Sequence, residues 1–455
     1  MYSRLTVSPG LGKGAAALAV AALMVCEPDS WLTARAQRPT FRSAVEMIAI
    51  DVQVLDRDGR PLTTLGPESF DVTLGGQKRR VEWAVFTRYD EDAMSAAIAA
   101  DTAAAEIVVP GPDGLLTRPS PTPGLTAEFG RTFIIAIDAG SFRTLDSHLA
   151  VVAAQRFIDG LLPTDLVGVF TVPFGPSLAP TADHAAAWYT VGGVVGRKLD
   201  QKYSFEFTPA EVIDIMAAVD TKPNFQLEDE VRRNRRQRSL PGADDQTWSD
   251  EVISKHCFGT DPSCFQSVVS EAATVAVGLE TNALMSIAGL EDLLTILRRS
   301  PGRKTVLLLS GGLPLSDRGH GAPSVGNALQ KMGEQAAYAN ATVHAIYFDR
   351  NGEAAFSAES TRARVSSIRS QTIDTKALGE FAAPSGGLLL MSQAGAAEKE
   401  VDRLLAEAST SYVLGVEPDP RDRDGRPHRI QVKVKQQGAT VRSRQLVVVP
   451  RAPAP

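Results

Sequence analysis

Continuous apolar runs between residues 129 and 408 constrain the fold of this chain more than any other feature. Apolar side chains occupy consecutive positions in each run, so both faces of the corresponding strand must be covered. The runs are RTFIIAI (131–137), DLVGVFTV (165–172), KTVLLLS (304–310), ATVHAIYF (341–348) and GGLLLMS (386–392). Helical patterns alternate with them, near residues 145–160, 208–219, 267–299, 324–340, 374–383 and 394–408. This alternation predicts an α/β fold, a doubly wound and mostly parallel sheet with helices on both faces.

Two flanking segments have a different, β-like pattern. Residues 37–89 include IAIDVQVL and FDVTL, and residues 409–455 include SYVLGV, HRIQVKVKQ and RQLVVV. Alternation of apolar and polar side chains predicts antiparallel strands with one buried face. Residues 90–128 are rich in alanine, proline, glycine and threonine, which indicates a linker. We expect the two flanking segments to lie together as a small β-sandwich-like region.

Glycine-containing turns connect the predicted strands. Asp58-Gly59 and Gly75-Gly76 suit the positive φ angles of hairpin turns. The hexapeptide DRDGRP occurs twice, at 56–61 and 422–427, and each copy lies between β-like runs. We predict the same hairpin turn in both places. A calcium site is the alternative for the Asp-x-Asp-Gly element, but neither copy continues into a full ligand loop.

The N-terminal residues 1–36 have the pattern of a secretory signal peptide. A positively charged start precedes the apolar run AAALAVAALMV (15–25), and Ala34-Arg35-Ala36 matches a cleavage site. We therefore expect a secreted or periplasmic protein. An uncleaved membrane anchor and a lipoprotein attached at Cys26 are the alternatives. After this segment no stretch approaches the ~18 apolar residues of a membrane span, so we expect no span in the mature chain.

The cysteines support a disulfide better than a metal site. Cys257 and Cys264 enclose the turn-forming segment CFGTDPSC, and export would place them in an oxidising compartment. We predict a disulfide between them, with two unpaired thiols as the alternative. They lie at the end of a predicted insertion, residues 221–265, which interrupts the α/β pattern. Its basic run Arg232–Arg238 is interpreted as a solvated surface, or alternatively as a docking patch for an anionic partner.

Length and charge exclude several broad classes. The 455 residues suffice for two or three domains. Lys and Arg total 47 against 53 Asp and Glu, and this net charge of -6 argues against nucleic-acid binding, which needs a basic face. With 44% hydrophobic and 22% charged residues, the chain is globular rather than disordered.

Known catalytic patterns are incomplete in this sequence. Ala322-Pro323-Ser324-Val325-Gly326 is the closest match to a hydrolase nucleophile motif, but it lacks the first glycine and begins well after its strand. His320, His344 and His428 could serve as bases on paper. Complete phosphate-loop, dinucleotide-binding and HExxH zinc motifs do not occur. We therefore expect no enzyme activity, with a secreted hydrolase of unrecognised type as the alternative.

Three stretches in a defined order resemble secreted bacterial proteins with a von Willebrand factor A-related domain. They are the N-terminal QRPTFRSAVEMIAIDVQVLDRDGRPLTTLGPESFDVTLGG, the strand ending at Asp138 with PGRKTVLLLSGGLP (301–314) downstream, and the C-terminal SYVLGVEP with DGRPHRIQVKVK and VRSRQL. The resemblance covers nearly all of the chain after residue 36 except the linker and the insertion. It implies a Rossmann-like A domain at 129–408 that binds other macromolecules rather than converting a substrate.

The same resemblance implies a place for a metal-dependent adhesion site. In that fold an Asp-x-Ser-x-Ser motif follows the first strand, and here its register falls on Asp138, Gly140 and Phe142, with Ser141 one place out of step. A later aspartate position falls on Gly311, and Thr281 is the candidate for the third loop. Because both serines of the motif are lost, Asp138 and Ser141 are weak candidates for Mg²⁺, and we expect no cofactor. We expect Asp138 instead to cap the following segment or bond its backbone.

These observations lead to one functional expectation. The chain is predicted to be an exported, non-enzymatic protein-interaction protein whose degenerate adhesion site no longer needs a metal. Open α/β sheets bind ligands at the carboxyl ends of their strands. The expected partner-binding residues are therefore Asp138, Ser141, Arg143 and Ser310, and the partner is a protein or another extracellular macromolecule. A structural envelope protein without a ligand is a further alternative.

Overall fold

The computed structural model describes most of the chain after residue 46. The described residues are 47–89, 109–110, 116–117, 131–198, 203–220, 255–257, 262–316, 322–325, 327–349, 361–392 and 397–451. The predicted signal peptide lies outside these residues, as do most of the predicted linker and most of the predicted insertion.

The elements follow one another as a β segment, an α/β region and a second β segment. The strands are β1 (Ile48–Leu55), β2 (Phe70–Leu74), β3 (Gln77–Arg79), β4 (Val81–Arg88), β5 (Val109–Pro110), β6 (Leu116–Thr117), β7 (Thr132–Asp138), β8 (Leu166–Val172), β9 (Leu178–Thr181), β10 (Lys304–Ser310), β11 (Ala341–Phe348), β12 (Leu389–Ser392), β13 (Thr410–Val416), β14 (Pro427–Val434), β15 (Thr440–Ser443) and β16 (Leu446–Val448). The helices are α1 (Ser147–Asp159), α2 (His184–Gly192), α3 (Pro209–Asp220), α4 (Pro262–Leu297), α5 (Ala328–Tyr338), α6 (Thr361–Ala382) and α7 (Ala397–Ala408).

A six-stranded sheet forms the centre of the α/β region. Its order is β12-β11-β10-β7-β8-β9, and every neighbouring pair is parallel except β8 with β9. The strand order reverses at the β7–β10 pair, as in a doubly wound fold. The predicted fold class is therefore confirmed. The edge strand β9 and the helix α2 had no counterpart among the predicted elements, because both are short and only partly apolar.

Both faces of this sheet are buried, which explains its continuous apolar strands. In β7, Phe133, Ile135 and Ile137 pack on one face against α1 and α7. Ile134 and Ala136 pack on the other face, in a cluster with residues of α4, α5 and α6. Alternate residues of one strand thus belong to two separate cores, so no polar residue is tolerated along the strand until its end.

The two flanking segments combine into a pair of antiparallel sheets. One sheet has the order β15-β1-β13-β4 and the other β16-β14-β2-β3, so each contains strands from both ends of the chain. Ile50, Val72, Tyr412 and Ile430 belong to one buried cluster that includes residues of both sheets. The expected β-sandwich-like region is therefore confirmed, and both flanking segments belong to it.

The turn predictions are only partly correct. Gly75 and Gly76 have φ angles of +56° and +81° and connect β2 to β3 as a hairpin. At the first DRDGRP copy the chain reverses direction, and a single antiparallel β-bridge joins Leu55 to Pro61. The hairpin predicted for the second copy is wrong, because β13 and β14 lie in different sheets. This copy crosses between the sheets, so the same residues occupy different environments.

The second DRDGRP copy also connects the two flanking segments. The carboxylate of Asp422 accepts two hydrogen bonds from Arg79, at 2.7 Å from Nε and 2.8 Å from Nη2. The same carboxylate accepts a bond from the backbone of Asp419 at 2.9 Å. In the first copy, Asp56 instead accepts bonds from the backbone of its own turn, Asp58 and Arg60. Tertiary contact rather than the hexapeptide therefore decides what each aspartate does.

The predicted disulfide is present between Cys257 and Cys264, whose Cα atoms are 5.9 Å apart. It lies immediately before and at the beginning of α4. Cys257 and Phe265 are buried in a small cluster with Ile215 of α3. The bond thus anchors the described end of the insertion to the core.

Helix α4 is longer and more apolar than the sequence analysis allowed. Its residues Ser263–Leu297 are long and apolar enough to cross a membrane by length and composition, so the expectation that no such stretch exists is wrong. Its buried residues Ala283, Ile287, Leu290 and Leu294 recur every three or four positions and pack against the sheet. This spacing is typical of a core helix that buries one face.

We expect Asp422→Asn to lower the free energy of unfolding at pH 7 by about 1.5–3 kcal/mol, the range for hydrogen bonds to charged groups. The hydrogen bonds from Arg79 lower the pKa of Asp422 below its usual range. The stability it contributes is therefore complete above the unfolded pKa and is lost as the pH falls through the lowered folded pKa. Urea unfolding at several pH values should show the variant and the wild type converging in acid. Asp71→Asn is the control, because its ion pair with Lys78 is long, at 3.9 Å, and exposed; an equal loss there would contradict the prediction.

Candidate functional site

The candidate site lies where the strand order of the central sheet reverses. Strands β7 and β10 are direct neighbours, and the chain leaves them in opposite directions across the sheet. Asp138 is the last residue of β7 and Ser310 is the last residue of β10. This crevice at the carboxyl ends of the strands is the usual ligand position in doubly wound folds.

The carboxylate of Asp138 is enclosed by serine hydroxyls. Ser286 Oγ of α4 donates to Oδ1 at 2.7 Å, and Ser310 Oγ lies 2.9 Å from Oδ2. All three side chains are buried, and Asp138 is only 1% exposed. Each carboxylate oxygen therefore has a hydrogen-bond donor from a different element of the fold.

A second layer of hydrogen bonds joins the loop after β7 to the loop after β10. Ser141 Oγ donates to the backbone oxygen of Asp138 at 2.7 Å and accepts from Gly311 N at 2.7 Å. Gly312 N donates to Ser310 Oγ at 3.1 Å. Gly312 has a φ of +108°, and a Cβ there would lie 2.8 Å from the Asp374 side chain, so glycine is required. The two loops are thus held together by buried bonds.

Ser286 of α4 lies beside Gly140, the residue on which the resemblance places a serine of the adhesion motif. Gly140 stands at that motif position, and a Cβ added there would lie 3.5 Å from Asp138 Oδ1 and 3.6 Å from Ser286 Oγ. The hydroxyl therefore reaches the aspartate from α4 instead of from the loop. Its only sequence signal is a serine within the apolar stretch MSIAGLEDLL, which gave no reason to connect it with Asp138.

These residues do not fit a Mg²⁺ ion. Mg²⁺ needs near-octahedral oxygen ligands and usually keeps several waters, whereas this site offers one carboxylate and hydroxyls already bonded within the protein. Burial raises the pKa of Asp138, which disfavours the charged form that a cation requires, although the serine hydrogen bonds oppose this shift. Among the described residues, no group of three or more His, Cys, Asp or Glu side chains is arranged to hold a metal.

The structure brings together three of the four expected partner-binding residues. Asp138, Ser141 and Ser310 form the buried network, while Arg143 lies exposed on the loop above it. Of the two roles expected for Asp138, its side chain makes no capping bond with the following turn, but the backbone of Ser141 in that loop contributes a hydrogen bond that lowers its pKa. Thr281, the candidate for the third loop, bonds instead to Val277 O of its own helix at 2.8 Å.

Exposed apolar side chains lie on and near the loop between β7 and α1. The backbone of residues 194–198 runs along this loop: Arg197 N donates to Ala139 O and Lys198 N to Phe142 O, both at 2.8 Å. Leu145, Phe174 and Val195 are 87%, 58% and 52% exposed. The Arg197 guanidinium lies 4.8 Å from the centre of the Phe174 ring. We call this surface, formed by Arg143, Leu145, Phe174, Val195 and Arg197, the loop face.

The candidate serine nucleophile and the described candidate histidine bases make contacts elsewhere in the fold. Ser324 lies between β10 and α5, well after the end of its strand, and its backbone N–H donates to Glu280 Oε2 at 3.0 Å. His344 Nδ1 accepts from Leu388 N at 3.3 Å, and burial lowers its pKa to about 4. His428 bonds to Asp424 at 2.8 Å in the sandwich. His320 lies outside the described residues.

Comparison with known proteins gives no closer assignment. No family model and no curated protein sequence matches this chain. The proximal thread matrix protein 1 of the mussel byssus, solved with a zinc-occupied MIDAS motif, aligns with a TM-score of 0.29 and 12% identity over 64% of this chain and 48% of that chain. A second crystal form gives 0.28 and 9% over the same shares. The human COPII-coat protein Sec24c gives 0.27 and 9%, over 71% of this chain and 44% of that one.

This chain thus spans about half the length of the solved structures that it matches. Such low scores carry no argument about the site. What the structure itself shows is an α/β domain with a doubly wound, mostly parallel sheet, of the class that the von Willebrand factor A resemblance implied. The function has to be argued from this chain's own residues.

We expect Asp138→Asn to become more stable relative to the wild type as the pH rises. Because burial raises the folded pKa of Asp138, the stability from this group is complete below the unfolded pKa and is lost as the pH rises through the folded one. The uncharged amide of asparagine removes the cost of burying an ionised carboxylate at high pH. Thermal unfolding between about pH 3 and pH 8 measures the difference in Tm.

Ser286→Ala is the companion variant, and it should lower the free energy of unfolding at pH 7 by about 1–3 kcal/mol by removing a donor from a buried oxygen. Thermal unfolding with added MgCl₂ tests whether the site binds the ion. A ligand of the folded state raises Tm. A Mg²⁺-dependent rise in the wild type that Asp138→Asn abolishes would contradict the conclusion that these residues do not fit the ion.

Proposed function

We propose that this chain is an exported, non-enzymatic protein-interaction protein whose A-type α/β domain binds a macromolecular partner through the loop face. The observation that carries this proposal is the coincidence of two features at one place. The loop face lies at the carboxyl ends of the parallel strands, and it exposes three large apolar side chains. Large apolar side chains exposed near one another on a protein surface are typical of an interaction site.

The chemistry of the loop face suits a protein partner. Exposed Arg143 and Arg197 accompany the apolar residues Leu145, Phe174 and Val195. Aromatic and arginine side chains are enriched in protein interfaces, and they supply much of the binding energy there. The guanidinium of Arg197 stacks over Phe174, so both side chains are partly ordered before any partner arrives.

The buried serine network supports the loop face from below. Asp138, Ser141, Ser286 and Ser310 join the loop after β7 to α4 and to the loop after β10. A loop held by buried bonds loses little conformational freedom on binding. Serine hydroxyls therefore replace the metal as the device that positions the loop, which is how a degenerate adhesion site can still bind a partner.

Export rests on the sequence of residues 1–36 and is supported by the Cys257–Cys264 disulfide, which is compatible with an oxidising compartment. The absence of enzyme activity rests on the incomplete catalytic motifs. The alternative hydrolase has no specific observation in its favour, because Ser324 does not follow its strand in a nucleophile turn.

The loop face is tested by Leu145→Ser combined with Phe174→Ser. Crosslinking and quantitative pull-down from the cell envelope and culture medium should recover a partner with the wild type and at least about tenfold less with the variant, because interface anchors each contribute about 1–2 kcal/mol or more. Val277→Ser is the matched control, since Val277 is 66% exposed but lies on α4. Equal recovery by all three proteins would remove the loop face from the proposal.

The non-enzymatic part has a separate test. We expect the purified chain to hydrolyse no substrate in a screen of ester, peptide and glycan compounds. Ser324→Ala serves as the control for contaminating activity. Turnover by the wild type that this variant loses would establish the hydrolase instead.

A further inference from the structure

A polar cavity lies between the sandwich and the α/β region, at the end of the sheet opposite the loop face. It has a volume of about 180 Å³. Thr132, Thr305 and Thr342, which lie at the amino ends of β7, β10 and β11, form part of its wall. Residues of β1, β13 and β15 close it from the sandwich side. We call it the basal cavity.

The basal cavity has an excess of positive charge. Arg131, Arg303, Arg442 and Arg444 line it together with two carboxylates. Arg131 is neutralised by Asp165, which lies outside the lining, at 3.0 Å from Nε to Oδ1. Among the lining residues, the acids that face the three remaining guanidinium groups are Asp51 and Glu407. Outside the lining, Arg444 also donates to Asn340 Oδ1 at 2.6 Å, and Arg403 shares Glu407 Oε1 at 3.3 Å.

The ion pairs show how this excess arises. Arg303 and Arg444 share the single carboxylate of Asp51, at 2.8 and 3.0 Å. Arg442 pairs with Glu407 Oε1 at 2.8 Å. One positive charge is therefore left without an acid among the lining residues. His344 also lines the cavity, and its low pKa keeps it neutral near pH 7.

Three buried polar atoms of the lining have no hydrogen-bond partner: Thr410 Oγ1, Ser411 Oγ and Glu407 Oε2. Thr410 and Ser411 are 7% and 8% exposed. Leaving a buried hydroxyl or carboxylate oxygen unbonded is costly, so most such groups are satisfied in native proteins. Their concentration in one cavity indicates that something else satisfies them.

We propose that the basal cavity binds a small organic carboxylate that also carries a hydroxyl or ammonium group. The carboxylate is matched to the excess guanidinium charge and to the donor hydroxyls of Thr410 and Ser411. The additional donor is matched to Glu407 Oε2, which can only accept a hydrogen bond while ionised. A simple anion without a hydrogen-bond donor, such as chloride or acetate, would leave that oxygen unsatisfied. Cavities between domains are common positions for such ligands.

Ordered water is the other way to satisfy these atoms. A ligand site should prefer carboxylates that carry a donor group, whereas a cavity filled by water should not distinguish between carboxylates. Three probes with the same three-carbon skeleton separate these cases: L-lactate carries a hydroxyl, L-alanine carries an ammonium group, and propionate carries neither. A ligand of six heavy atoms with good contacts binds with a Kd of about 1 mM. Calorimetric titration of the purified chain should show L-lactate or L-alanine binding at about this level and propionate at least about tenfold weaker.

Each other result overturns the proposal. No binding of either donor-carrying probe up to about 10 mM would mean that water alone fills the cavity. Equal binding of propionate would remove the role of Glu407 Oε2. Binding of inorganic phosphate in place of the carboxylates would mean that the ligand class is wrong.

Thr410→Val tests the site within the protein. Because the hydroxyl lacks a partner in the free protein, we expect this variant to keep or raise Tm while weakening the better probe about tenfold. Thr171→Val is the matched control: Thr171 is 2% exposed, but its hydroxyl donates to Pro176 O at 2.6 Å. It should lower Tm and leave probe affinity unchanged. A Tm loss for Thr410→Val as large as in the control, or an unchanged affinity, would contradict the proposal.

Discussion

Burial of both faces of the central sheet is the constraint on which the rest of this structure depends. Residues of β7 and β10 alternate between two cores, one formed with α1 and α7 and the other with α4, α5 and α6. In these two strands the polar side chains lie only at or next to the strand ends. The polar sites of the domain therefore lie at the two ends of the parallel strands. The serine network and the loop face lie at the carboxyl ends, and the basal cavity lies at the amino ends.

The serine network shows how hydrogen bonds can satisfy a buried carboxylate at such a strand end. Asp138 lies in a nearly solvent-free position, where an isolated carboxylate would be very unfavourable. Hydroxyls from Ser286 and Ser310 reduce this cost, and Ser141 ties the adjoining loop to Gly311. The arrangement is a fixed hydrogen-bonded support rather than an open coordination site, which agrees with a binding role for the loop above it.

The sandwich contributes more than a covering of the chain ends. Because each of its sheets contains strands from both flanking segments, the α/β region is inserted between them in sequence but adjoins them in space. The Arg79–Asp422 pair fastens the two segments together. Their junction with the amino ends of β7, β10 and β11 encloses the arginines and unpartnered hydroxyls of the basal cavity. The proposed ligand site thus exists only because the two regions meet.

Sequence patterns alone were sufficient for the fold class, since apolar runs such as TFIIAI require a covered strand and the flanking alternation requires half-buried ones. They also placed Asp138 and Ser310 at the ends of buried strands and paired the cysteines, because strand ends and a short disulfide loop depend on local pattern and spacing. Only the tertiary structure revealed Ser286, since 148 residues separate it from Asp138. The same holds for the different roles of the two DRDGRP copies and for the basal cavity. Those features depend on which elements pack together, and no local pattern records contacts between distant residues.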